Sequence, residues 1–97
     1  MLYIYNNLKY LREKLKLSRN SFANKLDINV SNISRWENNK NGMGLETANI
    51  IAEKIGIPLA DIIGKDLTNE ELDLSSIINK LNKKDDNNNR LWGGTYK

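Results

Sequence analysis

The sequence predicts an all-α fold, with five short helices in one compact domain followed by an extra helix and a flexible tail. Three observations support this prediction. Apolar residues recur at spacings of three and four, capping residues precede two of the segments, and Gly56 and Pro58 separate the last two helices of the domain. The 97 residues suffice for one such domain and a tail.

The first helix is expected over residues 6–15, where Leu8, Leu11 and Leu15 form an apolar stripe. Lysines and a glutamate occupy the other side, so the stripe is expected to face the core. Residues 1–5 are apolar and aromatic. The sequence leaves open whether they form an extended arm or a first turn of this helix.

Two short helices joined by a tight turn are predicted between Leu17 and Lys40, which is the pattern of a helix-turn-helix. The first covers residues 19–26 with Ser18 as its N-cap. The second covers residues 30–37, and Asn29 is its expected N-cap. The expected buried positions of the two helices are Phe22, Ala23, Leu26, Ile33 and Trp36.

The small residue Ala23 and the β-branched Ile33 are expected to meet where the two helices cross. A steep crossing after a three-residue turn needs a small side chain at the contact, and a branched residue then fills the wedge. Trp36 is expected in the core, with its indole N–H reaching a polar partner or solvent.

A fourth helix is expected over residues 45–55, with Gly56 as its C-cap, and a short fifth helix over residues 58–63. The expected core stripe of the fourth helix consists of Leu45, Ala48, Ile51, Ala52 and Ile55. The domain is therefore expected to span residues 1–64.

Residues 65–84 are expected to form a C-terminal helix that is opened by a capping box of Thr68 and Glu71. So short a helix is marginal in water by itself, and it must pack on its own domain or on a second copy or partner. Residues 85–97 are expected to be a polar linker and an aromatic tail. The sequence does not decide whether the tail is ordered.

Charge is divided unevenly along the chain. Residues 1–45 carry eight Lys and Arg against three Asp and Glu, whereas residues 46–97 carry seven against nine. The net charge is therefore +5 in the first part and −2 in the second. Because the basic part coincides with the helix-turn-helix, a polyanionic partner is the favoured explanation, ahead of a merely solvated face.

The composition excludes several classes of function. The chain has no cysteine and no histidine, so disulfides, thiolate chemistry and the commonest general base and metal ligand are absent. We therefore expect no enzymatic activity, no cofactor and no metal site. No signal peptide is visible and no apolar run approaches the ~18 residues of a membrane span, so a soluble, cytoplasmic protein without membrane contact is expected.

The chain resembles the phage repressor and Cro-type helix-turn-helix family, also called the XRE family, over roughly residues 5–63. The resemblance implies a lambda-repressor-like DNA-binding domain. It is carried by Leu8, Leu11, Arg12, Leu17, Ser18, Phe22, Ala23, Leu26, Ile28, Ile33, Trp36, Glu37, Asn38, Leu45, Glu46, Thr47, Ile51, Ala52, Ile55, Gly56 and Ile57.

Three residues depart from the pattern of this family. Asp27 and Asn39 stand where the family commonly has glycine in a left-handed backbone, a conformation that Asp and Asn tolerate better than other L-residues. Arg19 replaces a common glutamine, which suggests a charged contact with a DNA phosphate in place of a polar one.

The resemblance also implies which residues contact double-stranded DNA. The base-facing positions are Val30, Ser31, Asn32 and Arg35. Arg35 is the strongest candidate, because a guanidinium pairs bidentately with O6 and N7 of guanine. The implied phosphate contacts are Arg19, Asn29, Asn38 and Lys40. A partly buried ion pair between Arg12 and Glu37 is implied as well.

Two functions from different classes fit these observations. The first is a sequence-specific transcriptional regulator, a repressor that binds a palindromic operator as a homodimer. The second is an antitoxin or other protein-interaction module, which uses the C-terminal helix and tail to bind a partner protein.

Overall fold

The computed structural model of the protein describes residues 2–82. Within this range the chain is all-helical and contains no β-strand, as predicted. The elements are α1 (Ile4–Lys14), α2 (Arg19–Leu26), α3 (Val30–Asn39), α4 (Leu45–Ile55), α5 (Leu59–Gly64), a 3₁₀ turn (Leu67–Asn69) and α6 (Leu74–Asn82). The linker and tail expected after residue 84 lie outside the described residues.

Helix α1 begins two residues earlier than predicted and includes part of the segment left open as an arm or a first turn. Ile4 and Tyr5 are buried in the core, and the backbone N–H of Tyr3 donates to the carbonyl of Ile63 at 2.8 Å. Burial of these two side chains against the rest of the domain stabilises the extra turn.

Helices α2 and α3 begin where the sequence predicted. The hydroxyl of Ser18 accepts from the N–H of Ser21 at 3.0 Å, and the side-chain oxygen of Asn29 accepts from the N–H of Ser31 at 2.9 Å. These bonds occupy backbone donors that have no partner within their helices. Asp27 between the helices has the expected left-handed backbone, with φ of 60°.

The end of α3 differs from the prediction. The helix continues two residues beyond the expected end at Glu37, so Asn39 remains helical. Lys40 takes the left-handed conformation instead, with φ of 56°. The assignment of Asn39 to this conformation was wrong because the helix continues through Asn39, so the left-handed residue that follows it is Lys40.

Helix α4 has the predicted bounds and is capped by Gly56 at φ of 87°. Helix α5 begins one residue later than expected, with Pro58 as its N-cap. Leu45 is a correction to the expected core stripe, because its side chain is 70% exposed. It is the first residue of α4, where the chain enters from an exposed loop.

The predicted capping box of Thr68 and Glu71 is wrong. Asp66 accepts from both the N–H and the hydroxyl of Thr68, at 3.1 and 2.6 Å, which places Thr68 in the 3₁₀ turn. Helix α6 starts only at Leu74, where the carboxylate of Asp73 accepts from the N–H of Ser76 at 3.1 Å. Asp is as good an N-cap as Thr, and here it caps the shorter helix.

Helix α6 packs on its own domain, against α4 and α2. Ile77 and Leu81 are buried in the same core cluster as α1 to α5, together with Leu67 of the 3₁₀ turn. Lys25 of α2 also donates a hydrogen bond to the side chain of Asn82 at the end of α6. The core therefore continues past Gly64 as far as Leu81.

Asn7 is a fully buried polar residue that joins α1 to the end of α5. Its amide nitrogen donates to the carbonyls of Ile62 and Lys65, each at 2.7 Å, and its oxygen accepts from the N–H of Leu67 at 2.9 Å. Both amide hydrogens and the oxygen are thus used, which offsets the cost of burying them. Sequence analysis did not single out Asn7, although it lies on the apolar stripe between Ile4 and Leu11.

Candidate nucleic-acid interface

Helix α3 has one buried side and one exposed side. Ile33, Trp36 and Glu37 are buried, whereas Ser31 and Arg35 are exposed. Of the remaining predicted base contacts, Val30 and Asn32 are half-buried. The structure therefore presents Ser31 and Arg35 to solvent and keeps Val30 and Asn32 at the edge of the exposed side.

The start of α3 is organised by Asn29, which was predicted to contact a phosphate. Its side-chain oxygen accepts from the N–H of Ser31 at 2.9 Å and from the hydroxyl of Ser31 at 2.8 Å. Because the hydroxyl proton of Ser31 points at Asn29, the lone pairs of that oxygen are left to accept from a donor outside the helix. The amide nitrogen of Asn29 stands at the exposed end of the same side chain.

The carboxylate of Glu37 holds two arginines on the buried side of α3. Nε of Arg12 lies 2.6 Å from Oε2, and Nη2 of Arg12 lies 3.1 Å from Oε1, which is a bidentate pair. Nε of Arg19 lies 3.0 Å from Oε1. The side chain of Glu37 is only 4% exposed. The predicted pair of Arg12 and Glu37 is thus part of a three-residue network that joins α1, α2 and α3.

The network changes the protonation behaviour of its members. Burial by itself would raise the pKa of Glu37, but the hydrogen bonds and charges of Arg12 and Arg19 outweigh it, so the pKa lies below its usual value. The hydrogen bond from Arg12 to Glu37 raises the pKa of Arg12 against the opposing effect of burial. The carboxylate is therefore ionised at neutral pH.

Arg19 has an internal partner that the sequence did not reveal. Its Nε faces Glu37, but its side chain is 42% exposed, at the N-terminus of α2. The network of two arginines and one glutamate carries a net charge of +1. Because Arg12 is largely buried and Arg19 is not, this charge is presented to solvent through Arg19. A contact between Arg19 and a phosphate stays a prediction.

Arg12 also ties the helix-turn-helix to α1. In addition to its bonds to Glu37, its Nη1 donates to the carbonyl of Leu17 at 2.9 Å. Leu17 directly precedes the N-cap of α2, so Arg12 contacts both the approach to α2 and the last turns of α3. One guanidinium thereby sets the position of both helices of the motif relative to α1.

The loop between α3 and α4, residues 40–44, flanks the exposed side of α3. Asn38 at the end of α3 and Lys40 at the start of the loop are both exposed. The loop is anchored to α1, because the N–H of Met43 donates to the hydroxyl of the buried Tyr5 at 3.2 Å. The two predicted phosphate contacts of this region are thus accessible from solvent.

Trp36 is in the core as predicted, but its indole N–H differs from the expectation. The Nε1 atom is buried and makes no hydrogen bond within residues 2–82. The ring therefore contributes through burial of its large apolar surface, against the cost of one unpaired donor.

Lys54 is a further polar contact that sequence analysis did not identify. Its Nζ donates to the carbonyl of Leu26, the last residue of α2, at 2.9 Å. A cation at a helix C-terminus interacts favourably with the carbonyls there. Since the two residues belong to different helices, no local signal reveals the pair.

The exposed side chains of this region suit the binding of a polyanion. No group of three carboxylate, histidine or cysteine side chains capable of holding a metal occurs in the part of the chain that the structure describes. None of the helices between residues 2 and 82 is long and apolar enough to cross a membrane. Most exposed side chains of α2, α3 and the following loop are cationic or amide groups, which bind phosphates and base edges.

Comparisons with known proteins agree with this geometry. A sequence model of the family described as Helix-turn-helix matches residues 8–62, more than half of the chain. The chain is 33% identical over 63 residues to the antitoxin PezA of Streptococcus pneumoniae serotype 4, an alignment that covers 65% of this chain and 40% of that protein. The chain thus matches less than half the length of this curated relative. No solved structure matches it. The chain belongs to the XRE-type helix-turn-helix family of DNA-binding transcriptional regulators.

Proposed function

We propose that the protein is a transcriptional repressor that binds a palindromic operator as a homodimer, with α3 of each copy in the major groove. The observation that carries this proposal is the division of α3. Its buried side is held by the core and the Glu37 network, and its exposed side presents Ser31 and Arg35. A recognition helix needs such a fixed orientation to bring its side chains to base edges.

Arg35 is assigned the main role in base recognition. It lies on the exposed side of α3 and its guanidinium is long enough to reach the groove floor from there. A bidentate contact with guanine contributes about 1–3 kcal/mol of discrimination against another base. Val30 is assigned to a thymine methyl group, and Ser31 and Asn32 to donors or acceptors of neighbouring base edges.

The flanking phosphates are assigned to Arg19, Asn29, Asn38 and Lys40. Arg19 stands at the N-terminus of α2, and Asn29 at that of α3, where backbone N–H groups favour an anion. Lys40 and Asn38 are exposed beside the other end of α3. Two separated clusters of phosphate contacts then set the register of α3 in the groove.

The homodimer is assigned to an apolar groove next to the α3–α4 loop. Leu2 and Leu45 on its rim are 60% and 70% exposed, and Tyr5, Met43 and Ala48 line it. A second copy that covers this surface would remove two leucine side chains from water. Analytical ultracentrifugation of the wild type and of Leu45→Glu tests this interface. We expect the dimer of the variant to have a larger dissociation constant than that of the wild type. Equal dissociation constants would place the interface elsewhere.

The experiment that tests the DNA-binding proposal begins with selection of binding sites from random duplex DNA by the full chain. Affinities of the wild type and of Arg35→Ala are then measured on operators that are varied one base pair at a time. We expect the variant to lose about 1–3 kcal/mol on the selected site and to lose its preference at one base pair of each half-site.

Two controls accompany this measurement. Arg35→Lys keeps the charge without the bidentate geometry, so it is expected to recover the contribution of the charge to binding but not the base preference. Lys65→Ala removes a positive charge from the residue that follows α5, outside the proposed interface, and is expected to leave the preference intact. Equal weakening of every operator by Arg35→Ala would make Arg35 a phosphate contact and transfer base recognition to Val30, Ser31 and Asn32.

A second candidate function is that of an antitoxin that binds a partner protein, which the similarity to PezA favours. Because Leu67, Ile77 and Leu81 belong to the core, the partner contact is assigned to the exposed side of α6 and to the residues after it. A chain truncated after Asn82 keeps the whole described core. Co-purification of a stoichiometric partner with the full chain, but not with the truncated chain, would support this function. If neither chain co-purifies with a partner, the antitoxin function is refuted and the transcriptional regulator remains as the proposed function.

A further inference from the structure

Arg35 lies against the backbone of the α3–α4 loop at Gly42. A Cβ atom placed on Gly42 would be 2.7 Å from Nε of Arg35 and 3.2 Å from its Cζ and Nη2 atoms. These separations are shorter than the ~3.5–4.0 Å of ordinary contacts between heavy atoms. The guanidinium therefore occupies the space that a side chain at residue 42 would fill.

Gly44, two residues further along the same loop, provides a contrast. A Cβ atom there would meet nothing within 4 Å, and its φ of −76° is accessible to every residue. Gly42 has a φ of +90°, which favours glycine for a second and independent reason. Only one of the two loop glycines is thus in contact with a residue of the proposed interface.

We infer that Gly42 is a positioning residue for Arg35. Because Gly42 has no side chain, the guanidinium packs against its backbone and is ordered there in the absence of DNA. This inference rests on the proposed role of Arg35 in base recognition. The backbone of this loop is anchored, because the N–H of the neighbouring Met43 donates to the hydroxyl of the buried Tyr5. Arg35 itself projects from α3, which the Glu37 network holds on its other side.

Pre-ordering of Arg35 has a measurable consequence for affinity. A long side chain that becomes ordered only on binding loses conformational entropy, which lowers the affinity by about 2- to 12-fold. A backbone contact that orders the side chain in the unbound protein removes this loss. A side chain at residue 42 would displace the flexible guanidinium and restore the loss. The effect is expected only while residue 35 is an arginine.

The test is a double-mutant cycle with the full chain and the operator selected from random DNA. Gly42→Asn adds a Cβ atom and tolerates a positive φ better than alanine, and Gly42→Ala is the second variant. Each is combined with Arg35→Ala. Gly64→Ala at the end of α5 is the control, because a Cβ atom there meets nothing within 4 Å and Gly64 does not line the proposed dimer groove. Affinities are measured on the selected operator and on operators changed at the base pair that Arg35 reads, and circular dichroism verifies that each variant is folded at the assay temperature.

We expect Gly42→Asn to weaken binding to the selected operator by about 2- to 12-fold and to reduce the preference at the base pair read by Arg35. In the Arg35→Ala background the same change should have no further effect, and Gly64→Ala should have none in either background. An equal loss in both backgrounds, an increase in affinity, or an equal loss with Gly64→Ala would overturn the inference.

The experiment separates this inference from the proposed function. If Arg35→Ala leaves the base preference unchanged, the role of Arg35 fails and the inference fails with it. If Arg35→Ala removes the preference while Gly42→Asn preserves both preference and affinity, the proposed function stands and only the role of Gly42 is refuted.

Discussion

The two sides of α3 hold opposite charges in different ways. Glu37 on the buried side is enclosed by two arginines from other helices, and its carboxylate has almost no contact with water. Arg35, two residues earlier, is exposed and contacts the loop backbone at Gly42. The position of Glu37 is thus fixed by ion pairs, whereas that of Arg35 is fixed by packing against the backbone of Gly42.

The difference follows from solvation. A buried charge is tolerated only when paired and hydrogen-bonded, so the partners of Glu37 fix the orientation of α3 strongly. An exposed charge keeps its hydration and remains available to a ligand, so contacts around Arg35 add little to stability. One side of the helix is therefore expected to control stability and the other to control binding.

The largest expected effect is that of Glu37→Gln on stability. Glutamine keeps the shape of the side chain but removes its charge, which leaves the partly buried Arg12 without its bidentate, buried counter-ion. We expect the free energy of unfolding to fall by about 3–5 kcal/mol, measured by denaturant titration. Glu13→Gln is the matched control, because Glu13 is exposed and lies 4.0 Å from the same arginine. A loss no larger than that of Glu13→Gln, about 0.5 kcal/mol or less, would contradict a structural role for the network.

A smaller effect is expected at Arg19, which pairs with the buried Glu37 and is also a proposed phosphate contact. Arg19→Ala should lower stability by less than about 1 kcal/mol, because the side chain is half-exposed, and should flatten the salt dependence of DNA binding by about one unit of slope. Lys40→Asn removes a charge and tolerates the left-handed backbone. It should flatten the salt dependence of DNA binding without lowering stability. A variant that weakens only one operator sequence would show that its residue contacts a base.

Acid is expected to remove the charge of Glu37 gradually, as the carboxylate becomes protonated, so stability should depend on pH. The pKa of Glu37 is about 4.3 in the unfolded chain and lower in the folded protein. Its contribution is therefore complete above about pH 4.3 and is lost as the pH falls further, through the folded-state pKa. The wild type should lose stability more steeply than Glu37→Gln over this acidic range. Parallel curves of unfolding free energy against pH would show that Glu37 is not the source of the dependence.

Local features of the sequence determined the helices. The bounds of α2 and α4, the caps Ser18 and Asn29, and the left-handed Asp27 all agree with the structure. Each depends on residues within about one helical turn, so periodicity and capping suffice to predict it. The same information misjudged the start of α6, where Asp66 and Asp73 offered competing caps. It also misjudged the burial of Leu45, whose spacing fits the stripe although the residue is 70% exposed.

What the sequence by itself determined is therefore the all-α class and the helix-turn-helix, and it supplied the predicted residues for DNA contact. The tertiary structure decided which of these residues have internal partners. Arg19 and Glu37 are 18 residues apart, and Asn7 and Leu67 are 60 apart. Arg35 and Gly42 meet only because the loop returns across the end of α3. Such pairs depend on how whole helices pack against one another, and no local pattern of residue types specifies that packing.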